Sequence, residues 1–164
     1  MTPFKDRTAS SRLTLRKDIH IGVNGTLCVV LMNDFVYISA PWAYGYGEPY
    51  IVARVMGFQQ QPDHQGRPIN HIRANLFFRM RDLTHRLNND PRLLVATMHS
   101  DLFPVSAIRG KCRVKHRDLI SNGSAPELTA WKRKDDHFYF YQLFDRYIHR
   151  FYDVIPTYKV KNAP

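Results

Sequence analysis

A run of cationic side chains alternates with small and apolar residues between positions 109 and 117. The five cations are Arg109, Lys111, Arg113, Lys115 and Arg117. Successive side chains of a β-strand point to opposite faces, so a strand here would carry all five on one face, about 6.6–6.8 Å apart. Such a row can neutralise several phosphates of a nucleic acid. The pattern also fits a solvated strand face, although Asp118 is the only acid nearby in the sequence.

A second candidate site lies in a stretch rich in aromatic residues between positions 42 and 50. It contains Trp42, Tyr44, Tyr46, Glu48 and Tyr50. Ring faces hold a methylated ammonium through cation–π contacts of about 0.5–2 kcal/mol each, and a carboxylate favours the charged form. These residue types therefore permit methyl-lysine recognition. An aromatic flap over the mouth of a barrel, or a contact surface for a partner protein, would have the same composition.

Residues of catalytic type do not form a catalytic pattern in this sequence. His99-Ser100-Asp101 contains triad residue types, but neighbours on one strand point to opposite faces and triads are assembled from separated segments. The eight histidines lack HExxH or HxH spacing, and no glycine-rich loop ends in Gly-Lys-Ser/Thr. We therefore expect a non-enzymatic protein with no metal or other cofactor, in which His99 is structural.

Composition favours one soluble domain with an anionic partner. The 164 residues fit a single domain, and 44% hydrophobic residues are enough for one core. The net charge of +10 indicates a nucleic acid or an acidic protein surface as partner. Cys28 and Cys112 lie in apolar runs, so we expect reduced core thiols and not a disulfide or zinc scaffold. No segment has the length of a signal peptide or membrane helix, so an intracellular protein without a membrane partner is expected.

Short apolar runs separated by Gly, Pro and Asn predict a mainly β fold, a distorted and largely antiparallel barrel or sandwich with a few short helices. The runs cover residues 27–31, 35–38, 50–58, 69–79, 93–98 and 110–116. We expect a flexible basic leader at residues 1–18 and one domain at 19–164. The side chains expected in the core are Cys28, Ile72, Ala74, Cys112 and Val114.

The segments between these runs are expected to be loops at 41–49, 59–68 and 88–91. Residues 81–87 predict a short helix. Apolar residues recur at helical intervals between 140 and 151, but 138–141 also suits a strand, and the sequence leaves both open. The polar segment 121–136 contains a Lys132-Arg133-Lys134 cluster and predicts an exposed excursion.

Three segments together resemble one known family. They are EPYIVARV at 48–55, LFFRMRD at 76–82 and HSDLFPVSAIRGKCRV at 99–114, where His99 and Asp101 precede an Ile-x-Gly-Lys-Cys-x-Val strand. Residues 19–160 resemble the bromo-adjacent homology (BAH) family. The tail at 135–162 is similar to fungal chromatin proteins in which PHD fingers follow the BAH domain, in complexes with histone demethylases or deacetylases. This chain lacks the Cys and His spacing of a PHD finger.

The resemblance implies a non-catalytic chromatin-binding module in the nucleus. Its expected partners are histones or the nucleosome, DNA, and other subunits of a chromatin-modifying complex. Two routes remain open: nucleosome or nucleic-acid binding through residues 109–117, and docking of a histone tail or a subunit through the 42–50 loop.

Family readers of methylated tails place a Tyr directly before the VARV strand, and a Trp and a Tyr in a WYYRP segment. Here Ile51 precedes VARV, while Leu76 and Phe78 stand at the Trp and Tyr positions. The resemblance therefore implies that most of the family cage is missing. Phe78 remains a candidate ligand contact, although it also continues the apolar face of Ile72 and Ala74.

Overall fold

The computed structural model describes residues 18–23, 26–39, 50–83, 90–121 and 125–156. Within these ranges the chain forms nine β-strands and three short α-helices. The strands are β1 (Asp18–Val23), β2 (Thr26–Leu31), β3 (Phe35–Ser39), β4 (Tyr50–Pro62), β5 (Pro68–Arg79), β6 (Leu93–Pro104), β7 (Ile108–His116), β8 (His137–Asp145) and β9 (Arg150–Asp153). The helices are α1 (Met80–Leu83), α2 (Arg117–Ser121) and α3 (Ala125–Lys132), with a 3-10 turn at Val105–Ala107. The predicted mainly β fold is confirmed.

Six strands close into a barrel. Hydrogen bonding runs in the order β6-β5-β4-β3-β7-β8, and β8 also pairs with β6, which joins the two ends of the sheet. β8 pairs with β7 between His137 and Phe140, and with β6 between Tyr139 and Phe144. β9 continues the sheet beyond β8, whereas β1 and β2 form a separate two-stranded hairpin.

β3 and β4 bury side chains on both faces, as expected for strands with a packed layer on each side. One face contacts the β1–β2 hairpin in a cluster that includes Ile19, Val30, Val36, Ala53 and Ile72. The opposite face lines the barrel interior, to which all six ring strands contribute, with Val52, Phe77, Leu94, Cys112 and Phe138 among the residues. The hairpin therefore covers the outside of the barrel at β3 and β4.

β8 pairs in parallel with both of its neighbours in the ring, β6 and β7, whereas the other ring pairings are antiparallel. Parallel neighbours need a crossover of about a dozen residues or more, usually helical. The connection from His116 to His137 supplies that crossover and contains both α2 and α3. Residues 125–136 are exposed or half-buried, as expected for the polar excursion, and they contain α3, which the sequence pattern did not predict.

Other sequence expectations have mixed outcomes. The segment with two open alternatives is a strand as far as Asp145, followed by a turn before β9. The expected loop at 59–68 is wrong at residues 59–62 and 68, because β4 and β5 extend as a long hairpin with a turn only at residues 63–67. The expected helix at 81–87 corresponds to α1, and residues 84–89 lie outside the described residues.

Four of the five side chains expected in the core are buried, namely Ile72, Ala74, Cys112 and Val114. Cys28 is only half-buried, because it packs at the margin of the cluster under the hairpin. Residues 1–17 of the expected leader lie outside the described residues, so the boundary of the leader stays a prediction. None of the helices in the described ranges is long and apolar enough to cross a membrane.

Asp90 joins the crossover to the barrel. Its carboxylate accepts hydrogen bonds from the Tyr139 hydroxyl at 2.5 Å and the Lys132 ammonium at 2.9 Å, and from the backbone N–H of Arg92 at 3.0 Å. Burial raises the pKa of the Asp90 carboxyl, but these hydrogen bonds outweigh burial and hold the pKa below its ordinary value. One carboxylate thus connects α3, β8 and the start of β6.

We expect Asp90→Ala to lower the free energy of unfolding by about 1–3 kcal/mol, because Tyr139 and Lys132 lose their acceptor. Urea denaturation measures this loss. Since the folded pKa is lowered, the stabilisation is complete above the ordinary aspartate pKa of about 3.9 and is lost as the pH falls through the lowered value. The exposed Asp135 provides the control: Asp135→Ala should change stability by less than about 0.5 kcal/mol. Equal effects of the two substitutions would contradict this role of Asp90.

Candidate functional site

β7 presents a row of cations to solvent. Along the strand, buried Ile108, Cys112, Val114 and His116 alternate with exposed side chains. The exposed cations, named here the β7 cationic row, are Arg109, Lys111, Arg113 and Lys115. Arg117 lies beyond the strand, at the start of α2, and is half-buried. The expectation that five cations share one strand face is therefore wrong for Arg117.

Arg109 is set apart from the rest of the row by a β-bulge. Tyr37 of β3 pairs with Gly110 and the next residue pairs with Ile108, so Arg109 is the extra residue. Gly110 has a φ of 156°, a conformation that glycine adopts more readily than other residues. The Arg109 guanidinium donates to the backbone carbonyl of Ser106 at 2.6 Å, which turns it back along the chain.

Lys111 is held by its own fold. Its ammonium lies 2.8 Å from the Asp34 carboxylate and donates to the backbone carbonyl of Val29 at 3.1 Å. Asp34 precedes β3 and Val29 lies in β2, so this side chain connects β7 to the covering hairpin. The charge of Lys111 is thus neutralised locally and contributes less to an external contact than its position in the sequence indicates.

Arg113 and Lys115 are the members of the row best placed to meet an external anion. The Lys115 ammonium lies 4.9 Å from the centre of the Trp131 ring. Among the described residues, Lys115 has no carboxylate partner. Trp131 is fixed in turn, because its indole N–H donates to the carbonyl of Phe138 at 2.9 Å. Within the described residues, Arg113 has no side-chain hydrogen bond, ion pair or ring contact.

Arg117 is engaged at the start of α2. Its guanidinium lies 4.1 Å from the centre of the Tyr141 ring and 3.8 Å from the Asp118 carboxylate. The neighbouring His116 is buried, and its two ring nitrogens contact the carbonyl of Val154 at 2.6 Å and the backbone N–H of Asp118 at 3.1 Å. A ring that donates at one nitrogen and accepts at the other is neutral, so His116 adds no charge to the row.

Beneath the row, Cys112 is a core thiol. Burial, and to a smaller extent the negative charge of Asp136, raises the pKa of Cys112 to about 12. A thiol with that pKa is protonated at neutral pH and is a poor nucleophile. Asp136 accepts a hydrogen bond from the Tyr37 hydroxyl at 2.6 Å, and burial followed by this bond raises the pKa of Tyr37.

Comparison with known proteins agrees with this architecture. The model of the BAH domain family matches residues 29–155, which is most of the chain. The chain belongs to the BAH family. The crystal structure of the yeast Rsc2 BAH domain is similar, with a TM-score of 0.56 and 18% sequence identity over 87% of this chain and 56% of that one. At that identity the likeness concerns the fold alone.

Two curated fungal proteins are similar to this BAH domain in sequence. The Lid2 complex component snt2 of Schizosaccharomyces pombe is 38% identical over 149 residues, which cover 86% of this chain and 12% of that protein. The E3 ubiquitin-protein ligase SNT2 of Saccharomyces cerevisiae is 35% identical over 144 residues, which cover 79% of this chain and 10% of that protein. This chain therefore spans about a tenth of the length of either relative.

The aromatic site of this BAH domain is described only at Tyr50. Trp42, Tyr44, Tyr46 and Glu48 lie outside the described residues. Tyr50 begins β4, is 37% exposed, and its ring centre lies 6.2 Å from that of Tyr37. Its backbone carbonyl accepts a hydrogen bond from the buried guanidinium of Arg79 at 3.2 Å. Arg79 thus holds the first residue of β4 in place.

The three positions at which the family resemblance implies aromatic rings in readers of methylated tails lie in or against the core of this domain, namely Ile51, Leu76 and Phe78. Leu76 is 4% exposed and lies in the cluster under the hairpin. Phe78 is partly buried against the same cluster, so its ring mainly serves packing. Phe78 is therefore a weaker candidate for a ligand contact than Tyr50, which is the exposed ring among the candidate histone-binding residues that the structure describes.

His99-Ser100-Asp101 lies in β6 next to an irregularity in the ladder with β5. The Asn75 amide donates to the carbonyls of Thr97 at 2.7 Å and His99 at 3.1 Å, which holds the irregular segment. The Asp101 carboxylate accepts from the backbone N–H of Leu102 at 2.7 Å. Within the described ranges, no group of three or more His, Cys, Asp or Glu residues could hold a metal ion.

Two residues that shape the site could not be found by reading the sequence locally. Asp34 neutralises Lys111 but follows a turn far away in the sequence. Trp131 supports Lys115 from a helix without buried residues. One feature of the sequence points to Trp131, because it is a large apolar side chain within the polar segment 121–136. Such a side chain indicates a contact with the barrel.

We expect Lys111→Ala and Arg113→Ala to differ in stability although both remove one exposed cation. Lys111→Ala should lower the free energy of unfolding by about 1 kcal/mol, because Asp34 and the Val29 carbonyl lose their donor. Arg113→Ala should stay within about 0.5 kcal/mol of the parent. Chemical denaturation of both variants tests the difference, and equal stabilities would show that Lys111 is as free as Arg113.

We expect a weak preference for methylated histone tails. Because Leu76 and Phe78 pack in or against the core, the dissociation constants of methylated and unmodified tail peptides should differ by less than about tenfold, or about 1.4 kcal/mol. Isothermal titration of matched peptides measures the ratio. A larger ratio that disappears in Trp42→Ala would contradict this expectation and assign the cage to the 42–50 loop.

Proposed function

We propose that this BAH domain is a non-catalytic chromatin-binding module that contacts the nucleosome through β7. The observation that carries the proposal is the exposure of Arg113 and Lys115 on one strand face without a carboxylate partner in the described residues. A partner with regularly spaced anions would gain two charge-assisted contacts there without breaking an existing ion pair.

The overall charge supports an anionic partner of large size. At +10 the chain attracts a polyanion over distances limited by the Debye length, about 8 Å at physiological salt. DNA phosphates fit this attraction best, because strand positions two residues apart match a repeating charge. Acidic histone surfaces offer the same charge with less regular spacing.

The relatives support a place in a nuclear, transcription-regulating complex that modifies histones. One relative is named as a component of the Lid2 complex, and the other as an E3 ubiquitin-protein ligase. We infer that this chain likewise works beside other subunits in the nucleus. Because it matches only about a tenth of either relative, we assign it binding and leave catalysis to other parts of such proteins.

A second candidate function is docking of a histone tail or of another subunit through the 42–50 segment. It rests on the half-exposed Tyr50 ring, which stands beside Tyr37 at the edge of the barrel. An aromatic contact of this kind depends weakly on salt, whereas phosphate contacts depend on it strongly. Titration against nucleosomes at two salt concentrations therefore separates the two functions.

We expect Arg113→Ala/Lys115→Ala to weaken binding to nucleosomes and to free duplex DNA. Each lost phosphate contact flattens the slope of log K against log salt by about 0.9, so the double variant should lose about 1.8 of the slope. Fluorescence anisotropy across a salt series measures it. Both side chains point to solvent, and their removal should leave the fold intact.

The control is Arg67→Ala/Arg73→Ala, which removes the same charge from the turn before β5 and from β5 itself. Arg67 pairs with Asp63, whereas Arg73 has no carboxylate partner among the described residues. Both side chains are exposed, and two strands, β4 and β3, separate β5 from β7. This control should retain nearly the slope of the parent. If instead the two double variants lose equal slope, net charge alone explains binding; if neither loses any, the β7 cationic row is a solvated face.

A further inference from the structure

The hairpin formed by β8 and β9 leaves apolar side chains in solvent at an unusual density. All four residues of β9 are exposed, although the Phe151 ring also lies 4.9 Å from the ring of Phe144. The exposed large apolar residues between positions 147 and 155 are Tyr147, Ile148, Phe151, Tyr152 and Ile155. Five such residues in nine positions, divided between the two faces of β9 and its flanks, give this hairpin the apolar exposure that marks protein interfaces.

The outer edge of β9 has no partner strand among the described residues, since β9 pairs only with β8. The Val154 N–H donates to the Tyr141 carbonyl at 2.9 Å, and this bond continues the β8–β9 register. Antiparallel ladders alternate between bonded and non-bonded pairs. The backbone groups of Tyr152 and Val154 therefore face β8, while those of Phe151 and Asp153 face outward and are free to pair.

The charge of this hairpin differs from that of the rest of the molecule. Residues 145–155 contain two Arg and two Asp, Arg146, Arg150, Asp145 and Asp153, and so have no formal net charge within a chain of +10. A polyanion or an acidic peptide would find little attraction here. A second copy of the chain meets no local repulsion, although a repulsive background remains between two cationic molecules.

We propose that β9 is a self-association edge that pairs with β9 of a second copy about a two-fold axis. Antiparallel pairing places residues with outward backbone groups opposite each other, so the axis must pass through a residue of β9. With the axis at Phe151, this ring meets its own counterpart and Arg150 opposes Tyr152 of the second copy.

This register is the one that the side chains favour. The central pair joins ring to ring and the two flanking pairs join cation to ring, and such pairs stabilise antiparallel strands. An axis one position later, at Tyr152, would instead place the Arg150 cation opposite Val154 and the Asp153 carboxylate opposite Phe151. The interface is narrow, and interfaces below about 1,200 Å² in total are usually weak. The association should therefore become visible only at high concentration.

Sedimentation equilibrium of the full 164-residue chain tests the proposal, from about 10 µM to about 1 mM at physiological salt. The parent should shift from monomer towards dimer across this range. Tyr152→Glu and Tyr152→Lys remove the same ring, but the first places an acid opposite Arg150 of the second copy and the second places a like charge there. The Glu variant should dimerise at least about fivefold more tightly than the Lys variant, because each dimer contains two such pairs.

Circular dichroism melting shows whether the variants keep the fold of the parent. A parent that remains monomeric throughout the concentration range overturns the proposal and assigns the edge to a different polypeptide. Equal dimerisation of the folded Glu and Lys variants overturns the register. If either variant fails to fold, Phe151→Pro replaces it. The N–H that this substitution removes faces outward, so the ladder with β8 is kept. If Phe151→Pro dimerises as tightly as the parent, the proposed edge pairing is overturned. These results are independent of nucleosome binding.

Discussion

To close the barrel, β8 hydrogen-bonds to β6 along one edge and to β7 along the other, and both pairings are parallel. Parallel neighbours cannot be joined by a tight turn, so the chain must leave the barrel at His116 and return at His137. α2 and α3 fill this crossover, and Asp90 fastens it through Lys132 and Tyr139. Closure of the barrel therefore decides what lies next to β7, and with it which of the exposed cations are free.

β7 serves two purposes because its side chains alternate. Cys112 and Val114 fill the barrel interior, while Arg113 and Lys115 face solvent. A substitution at a buried position leaves a cavity, whereas the exposed positions can change at little cost in stability. Lys111 is the exception, since its ion pair with Asp34 makes an exposed cation part of the structure. Charge counted along the strand therefore overstates the binding surface.

The sequence predicts well those features that depend on neighbouring residues. Strict alternation identified β7, and the apolar spacing of Ile72 and Ala74 placed the buried face of β5 correctly. It could not decide the segment after Phe138, where apolar residues fit both periodicities and the pairing with β6 and β7 selects a strand. α3 was missed because none of its residues is buried, so it lacks the apolar stripe by which a helix is recognised.

Long-range partners set the remaining limit on prediction. The Lys111–Asp34 pair, the support of Lys115 by Trp131 and the contact of Arg79 with the Tyr50 carbonyl each join segments that are distant in the sequence. Nothing in the local composition distinguishes Lys111 from Lys115, yet one is neutralised and the other is not. The alternating pattern in the sequence shows which residues lie in the candidate site. What each of them contacts depends on the topology, which brings distant segments together.

The cationic and neutral surfaces are physically linked, because β7 and β9 follow each other along the same edge of β8. Pairing of two β9 edges would bring two β7 cationic rows into one particle. A polyanion long enough to reach both rows would bind the pair more tightly than a single copy, since the second contact forms at a high effective concentration. By mass action the same polyanion would then favour pairing. A weak edge contact can in this way become significant on chromatin, where the anion is continuous, while the free chain stays monomeric at low concentration.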